Sequence, residues 1–275
     1  MTGWAVVASW DVRAALRDRW LWALAAAFGS MTLAASAVAL SGLRVVGLSS
    51  FDRAAAALVH LSMLFVPLLG LVLGSVWIAG ERESRALDFL LAQPLDRRAL
   101  YGGRYLGLAG AVTGATWLGY GTAGVVLAWG AGTDRLPAFL WLVFLSTLLG
   151  LASLSVGLAI SAAAPNRGRA LGAALLAWLA LTVLTDLGVL ASAVALRLPA
   201  AVVLSLAAAN PVSAFRMAAL AVVTRTPELL GPVGMVAIDR LGATGTAVAL
   251  SGVLLVWAAG GLGVGLRRFL RDSGP

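Results

Sequence analysis

Most of the side chains that could do chemistry lie in one charged stretch, GERESRALDFLLAQPLDRRALYGGR, which covers residues 80–104. Within it, Glu81 and Glu83 carry the carboxylates that a general acid–base pair would need. They alternate at the predicted end of a helix, beside Arg82 and Arg85. Contacts with these arginines, or with a partner protein, are therefore the favoured interpretation.

The other reactive groups are scattered along the chain. His60 is the single histidine, and the five methionines include Met31, Met63 and Met217, whose thioethers suit Cu(I). Their spacing matches no copper site, so local hydrogen bonding and core packing are the favoured roles. Cysteine is absent, and all 20 basic residues are arginine. A phosphate-binding P-loop needs a lysine, so we expect any ATP hydrolysis to belong to another chain. The sequence also shows no catalytic, metal or cofactor motif, and we expect no such site here.

The composition indicates a membrane protein. Hydrophobic residues make up 61% of the 275-residue chain and charged residues only 12%, with a mean hydropathy of +0.95. A soluble domain carries about 25% charged residues, and a spanning helix needs about 20 mostly apolar residues. We predict an all-α protein in which six segments cross the membrane: 21–43, 57–80, 105–131, 138–163, 170–196 and 242–266.

Two regions outside these spans have predicted roles. Residues 3–20 have an apolar side and an arginine-bearing side, which predicts a helix lying in the membrane interface. Residues 198–223 are apolar but interrupted at Asn210-Pro211, which predicts a re-entrant stretch within an outer region, 198–240. The first apolar run lacks a cleavage-like site, so we expect no removable signal peptide.

The placement of arginines predicts the orientation in the membrane. With the N-terminus in the cytoplasm, 13 of the 20 arginines fall on cytoplasmic segments and seven on outer ones. This bias is what the positive-inside rule requires. Both termini and the charged stretch are therefore predicted to face the cytoplasm of a bacterium, with the protein in its inner membrane.

Small residues recur at four-residue spacing in several spans. Such pairs let helices approach closely in lipid, although some matches arise by chance in a chain with 32 glycines. Three pairs predict tight packing within the chain: Gly70 and Gly74, Gly110 and Gly114, and Gly261 and Gly265.

Within the charged stretch, residues 81–104 are called the cassette below. Ser84 could cap a short helix that ends before Pro94, and Asp96 could cap the helix that follows. Leu87, Leu90 and Leu91 share one side of the short helix and predict an exposed apolar knob. A solvated loop gains nothing from exposed leucines, so the pattern favours a docking site for a soluble partner.

The cassette resembles the first cytoplasmic loop of ABC exporter permeases with six spans per subunit. The shared order, G-E-x-E, leucines, proline, arginine and glycine-basic, falls on Gly80, Glu81, Glu83, Leu87, Leu90, Leu91, Pro94, Arg97, Gly103 and Arg104. The resemblance implies a coupling helix that seats on a separate ATPase, which binds ATP and Mg. It also implies two ATPase copies on a homodimer of this chain. The family usually has Gly-Thr where this chain has Arg85-Ala86, and Gly-Lys where it has Gly103-Arg104.

A narrower resemblance links the segment NPVSAFRM, residues 210–217, to the permeases of nitrous oxide reductase maturation. Asp186-Leu187 is similar to them as well. The resemblance implies copper-site assembly as the process, with a Nos ATPase and a periplasmic Nos accessory protein as partners. Related permeases for drugs, lipids or peptides remain alternatives, as does a membrane scaffold without transport. An ion-driven transporter would need paired intramembrane charges and inverted repeats, and we find neither.

Asp186 is the one carboxylate inside a predicted span, where a charge costs about 2.5–3.5 kcal/mol. It could be a gate residue on a transport pathway or a structural partner for a nearby polar group. With Asn210, Pro211 and Arg216, it forms the predicted outer gate. We predict that Asp186 and Arg216 pair at the outer mouth and hold the re-entrant stretch over the bundle.

Overall fold

A computed structural model describes residues 12–13, 17, 19–41, 49–91, 96–184, 187, 199–223 and 231–272. Every described element is a helix or turn, so the all-α prediction is confirmed for this part of the chain. Most of the predicted interfacial helix, 3–20, lies outside the described residues. The helices are α1 Arg19–Leu40, α2 Ser50–Glu83, α3 Ala86–Leu91, α4 Arg97–Ala131, α5 Leu136–Ala163, α6 Arg167–Leu179, α7 Ala200–Ala209, α8 Pro211–Val223 and α9 Gly231–Asp272.

Two helices depart from regular geometry at identifiable points. A π-helical turn, Ala180–Leu184, follows α6. Within α9, Gly242 has a φ of 68°, so this element consists of two helical parts joined at the glycine. Glycine reaches positive φ without the steric cost that a side chain adds.

Five described helices are long and apolar enough to cross a membrane. The bent pair α7–α8, which turns by 109°, brings the number to six if it counts as one span. The predicted number of six spans is thus confirmed as five or six. The predicted span 105–131 lies in α4, which is long enough but falls outside the apolar set. Its glycines, threonines and tyrosines lower its hydropathy. The five helices that are long and apolar enough to cross a membrane are Leu21–Leu40, Ser50–Glu83, Leu136–Ala163, Arg167–Leu184 and Ala237–Arg271.

The centre of the bundle is the contact between α2 and α5, where two backbones touch. A Cβ placed on Gly70 would lie 2.6 Å from the carbonyl oxygen of Gly150, and one on Gly74 would lie 2.6 Å from that of Leu154. Close packing at this predicted pair is therefore confirmed. Gly261 and Gly265 also lie against α5, whereas Gly114 has open space around it.

Buried hydrogen bonds link the same helices. The Tyr120 hydroxyl on α4 bonds to Ser62 on α2 and, at 2.7 Å, to Ser146 on α5. All three residues are buried. In lipid such interhelical bonds are worth about 0.6–2 kcal/mol each, so this network helps to fix α4 against the α2–α5 pair.

Candidate functional site

The cassette is a helical connection between α2 and α4. The charged residues continue α2 to Glu83, so Ser84 ends this helix rather than capping the short one. Its backbone N–H donates to the Gly80 carbonyl at 3.0 Å. Asp96 caps α4 as predicted, because its Oδ1 accepts from the Arg98 N–H at 3.1 Å.

Arg85 turns the chain from α2 into α3 with a φ of 57°. This left-handed conformation costs a side-chain-bearing residue about 1–2 kcal/mol. The position is one where the exporter family has glycine, which adopts such a φ readily. Glycine at position 85 would therefore remove this cost.

Replacing Arg85 by glycine should stabilise the protein slightly. The change removes the left-handed penalty of about 1–2 kcal/mol. It costs about 0.4–1 kcal/mol because the unfolded chain becomes more flexible, which leaves a net gain of about 0.8 kcal/mol. Thermal unfolding in detergent measures it. Arg85→Ala removes the same charge but keeps the penalty, so an equal gain in that variant would assign the effect to charge.

The apolar side chains of α3 point in two directions. Leu87, predicted to be part of the exposed knob, is 6% exposed and packs in the core cluster that includes Leu100, Tyr101 and Phe269. This corrects the prediction: equal helical spacing shows that residues share a face, not which face the core takes. Leu90 is half-buried against the same cluster. Phe89, between them, is 70% exposed.

The two glutamates of the cassette make contacts that the sequence analysis did not predict. Glu81 accepts from Arg104 at 2.6 Å, with both side chains largely buried, and the Arg104 guanidinium lies 5.0 Å from the centre of the Trp77 ring. Glu83 accepts from the backbone N–H of Arg167 at 2.9 Å. These bonds join the end of α2 to the starts of α4 and α6.

Arg82 fastens the same end of α2 to α5. Its guanidinium donates to the carbonyl oxygens of Ala164 at 2.5 Å and Ala162 at 3.1 Å. These carbonyls belong to the last turn of α5 and its cap, which lack partners within the helix. A displacement of the cassette would therefore pull on α5 as well as on α2.

Three cassette residues have little or no described geometry. Pro94 and the side chain of Leu91 lie outside the described part of the chain. Arg97 begins α4, and its side chain is half-buried.

Tyr101, one turn further along α4, packs against Phe269 with ring centres 5.6 Å apart. Burial, and secondarily Tyr105, raise the pKa of Tyr101, so its phenol stays protonated.

The Asn210-Pro211 break has a defined hydrogen-bond role. Asn210 Oδ1 accepts from the Val212 N–H at 2.8 Å and so caps α8, while its Nδ2 donates to the Leu181 carbonyl at 2.6 Å. Leu181 lies in the π turn after α6, a geometry that leaves carbonyls without regular helical partners. One amide side chain thus joins the bent pair to α6.

The predicted gate pair is only half within the described residues. Arg216 lies on α8 and is partly exposed, but Asp186 lies outside the described residues. Their pairing therefore stays a prediction. Nearly all of α8 is buried.

The chain belongs to the ABC-2 family of transporter proteins. The family model, described as "ABC-2 family transporter protein", matches residues 5–273. A "Probable ABC transporter permease protein NosY" of Pseudomonas aeruginosa is 33% identical over 180 residues, which are 64% of this chain and 66% of that protein. A protein of the same name from Stutzerimonas stutzeri is 28% identical over 180 residues, 64% of this chain and 65% of its own length. The alignments thus cover just under two thirds of these relatives.

Sequence reasoning missed a second cluster in this ABC-2 protein, at the bundle end opposite the cassette. Arg135, just before α5, lies 3.5 Å from Asp52 on α2 and donates to the Val223 carbonyl at the end of α8, at 2.5 Å. Its guanidinium also lies 5.3 Å from the centre of the Phe51 ring. The sequence does hold a signal for this cluster: Asp52 and Arg135 carry opposite charges and stand at the starts of two apolar helices.

The described residues of this ABC-2 protein contain no group of three metal-ligating side chains. His60 is exposed, with Nδ1 2.8 Å from the Ala56 carbonyl oxygen. Met217 is buried in the core, Met63 packs partly against it, and Met31 is exposed.

Proposed function

We propose that the chain is the permease subunit of an ABC transporter, whose separate ATPase docks on α3. The observation that carries this proposal is the pairing of an inward Leu87 with an outward Phe89 on a six-residue helix. Exposed apolar groups rimmed by charges are typical of protein interfaces. The family membership supports an ATPase as the partner.

In this proposal the cassette passes motion from the ATPase to the bundle. ATP and Mg bind to the ATPase, and its closure displaces α3. Leu87 and the Glu81–Arg104 ion pair transmit the displacement to α2 and α4, and Arg82 carries it to α5. Two copies of this chain would work with two ATPases.

The proposed topology places the cassette and both termini in the cytoplasm and the Arg135 cluster outside. Region 198–240 would then re-enter the membrane from the outer face. The bend of 109° between α7 and α8 suits a re-entrant loop, and a broken span has the same geometry. Asp186 and Arg216 would stabilise this region from the side of α6.

For the process, we propose copper-site maturation of nitrous oxide reductase, with a periplasmic Nos accessory protein as a further partner. The names of the two relatives and the Asn210-Pro211 segment support it. Deleting the gene should lower the copper content of the reductase, and a plasmid copy should restore it. Unchanged copper content would instead favour export of a drug, lipid or peptide by the same machinery.

Replacing Phe89 by aspartate should abolish co-purification with the ATPase, because an unpaired charge buried in an apolar interface costs several kcal/mol. Pull-down and ATPase stimulation in liposomes measure the effect. Ser84→Asp adds the same charge to an exposed cassette position outside α3 and should leave the complex intact. A Phe89→Asp variant that still binds and stimulates the ATPase would remove the docking role of α3.

A further inference from the structure

An apolar slot lies between α1, α2 and α6. Its volume is about 430 Å³, within the range of small-molecule pockets. Every side chain along it is aliphatic except Arg167, which lies at the cassette end. The aliphatic residues that carry the argument are Leu24, Leu68, Val72, Val76, Leu171 and Leu175.

The slot exists because α6 is held to α2 at two separated points. At the cassette end, Glu83 accepts from the Arg167 N–H at 2.9 Å. Further along, the indole N–H of Trp178 donates to the Leu64 carbonyl at 3.0 Å, one turn before Pro67, which interrupts the hydrogen bonding of α2. Between these points α6 buries only two alanines. The helices touch at small side chains and leave a gap beside them.

The length of the slot fits one leaflet of a bilayer. The residues of α6 that line the slot run from Arg167 to Leu175, eight positions that span about 12 Å of helix at 1.5 Å per residue. Half of the hydrocarbon core of a membrane is about 15 Å thick. An apolar gap of this length fits within one leaflet and can hold most of a single acyl chain.

The positive charge of Arg167 at the end of the slot favours an anionic lipid headgroup. The side chain of Arg167 is exposed, and its guanidinium has no hydrogen-bond acceptor among the described residues. The Glu83 carboxylate accepts from the backbone N–H of Arg167 instead. Its Cδ lies 3.9 Å from the position of a Cβ on Gly80, so the side chain runs along α2. Basic groups between membrane helices bind anionic lipid headgroups. We propose that the slot binds one phospholipid with a net negative headgroup, its acyl chain between α2 and α6 and its phosphate on Arg167.

The test compares two neighbouring arginines of α6. Purified protein is titrated with dioleoyl phosphatidylglycerol or dioleoyl phosphatidylcholine in mild detergent, and bound lipid is counted by native mass spectrometry. Wild type should prefer the anionic lipid, and Arg167→Gln should bind it about fivefold more weakly. Arg169→Gln removes the same charge from an exposed residue that does not line the slot and should bind normally. Equal losses in both variants, or no preference between lipids, would overturn the proposal.

Two further measurements exclude other occupants. Leu171→Trp fills the slot without changing charge and should also lose the lipid; retained binding would place the lipid elsewhere. Inorganic phosphate alone should not raise the thermal stability of wild type; an increase equal to that given by phosphatidylglycerol would indicate a simple anion site. Because the chain has no cysteine, Leu175→Cys tests for a second copy. Efficient disulfide-linked dimers in native membranes would show that protein covers the slot, and their absence is the expected result.

Discussion

Replacing Gly74 by alanine should destabilise the bundle by about 2–3 kcal/mol. The new Cβ would lie 2.6 Å from the Leu154 carbonyl oxygen and 2.8 Å from the Leu158 nitrogen, both on α5. These are backbone atoms of a regular helix, so neither can rotate away. The two helices would have to separate along the contact that organises the core. The fraction of protein that stays monodisperse after heating in detergent measures the effect.

The same substitution at open glycines provides the control. Gly114 on α4 and Gly172 on α6 have no atoms within 4 Å of a built Cβ. Since alanine favours a helix over glycine by about 0.8–1 kcal/mol, Gly114→Ala and Gly172→Ala should be neutral or stabilising. If all three variants lose their structure at the same temperature, helix propensity rather than the α2–α5 contact sets the stability.

The features that could be predicted are those that the local sequence determines. High hydropathy predicts spanning helices, and the Asn-Pro pair predicts the break before α8, because proline restricts the residue before it. The predicted span 57–80 ends where the hydropathy falls, and the glutamates that follow were predicted to lie at a helix end. Glutamate and arginine are good helix formers, and the helix continues to Glu83.

The features that were missed depend on contacts distant in the sequence. The spacing of Leu87, Leu90 and Leu91 fits one face. Leu87 turns inward because it packs in a cluster whose members include Phe269 on α9, 182 residues further along. Likewise, Glu81 has several arginines nearby in the sequence and pairs instead with Arg104, on the following helix. Spacing within one helix carries no information about which neighbour lies beneath it.

The Arg135 cluster should contribute as much to stability as one close-packed glycine. Arg135→Gln should destabilise the fold by about 2–3 kcal/mol. Among the described residues it leaves the carboxylate of the buried Asp52 with the Ser49 hydroxyl, at 2.7 Å, and it takes a donor from the end of α8. Breaking a fully buried pair costs about 3–5 kcal/mol, and the partial exposure of Arg135 lowers this figure. Thermal unfolding of the purified protein measures the loss.

A double-mutant cycle separates the ion pair from the carbonyl contact. Asp52→Asn alone should cost less than Arg135→Gln, since Arg135 keeps its bond to Val223. The double variant should be more stable than the sum of the two losses by about 0.5–3 kcal/mol. Asp134→Asn, at an exposed neighbouring position, should change stability by less than about 0.5 kcal/mol. Strict additivity of the two losses would mean that Asp52 and Arg135 act independently, with α8 held by the Val223 bond alone.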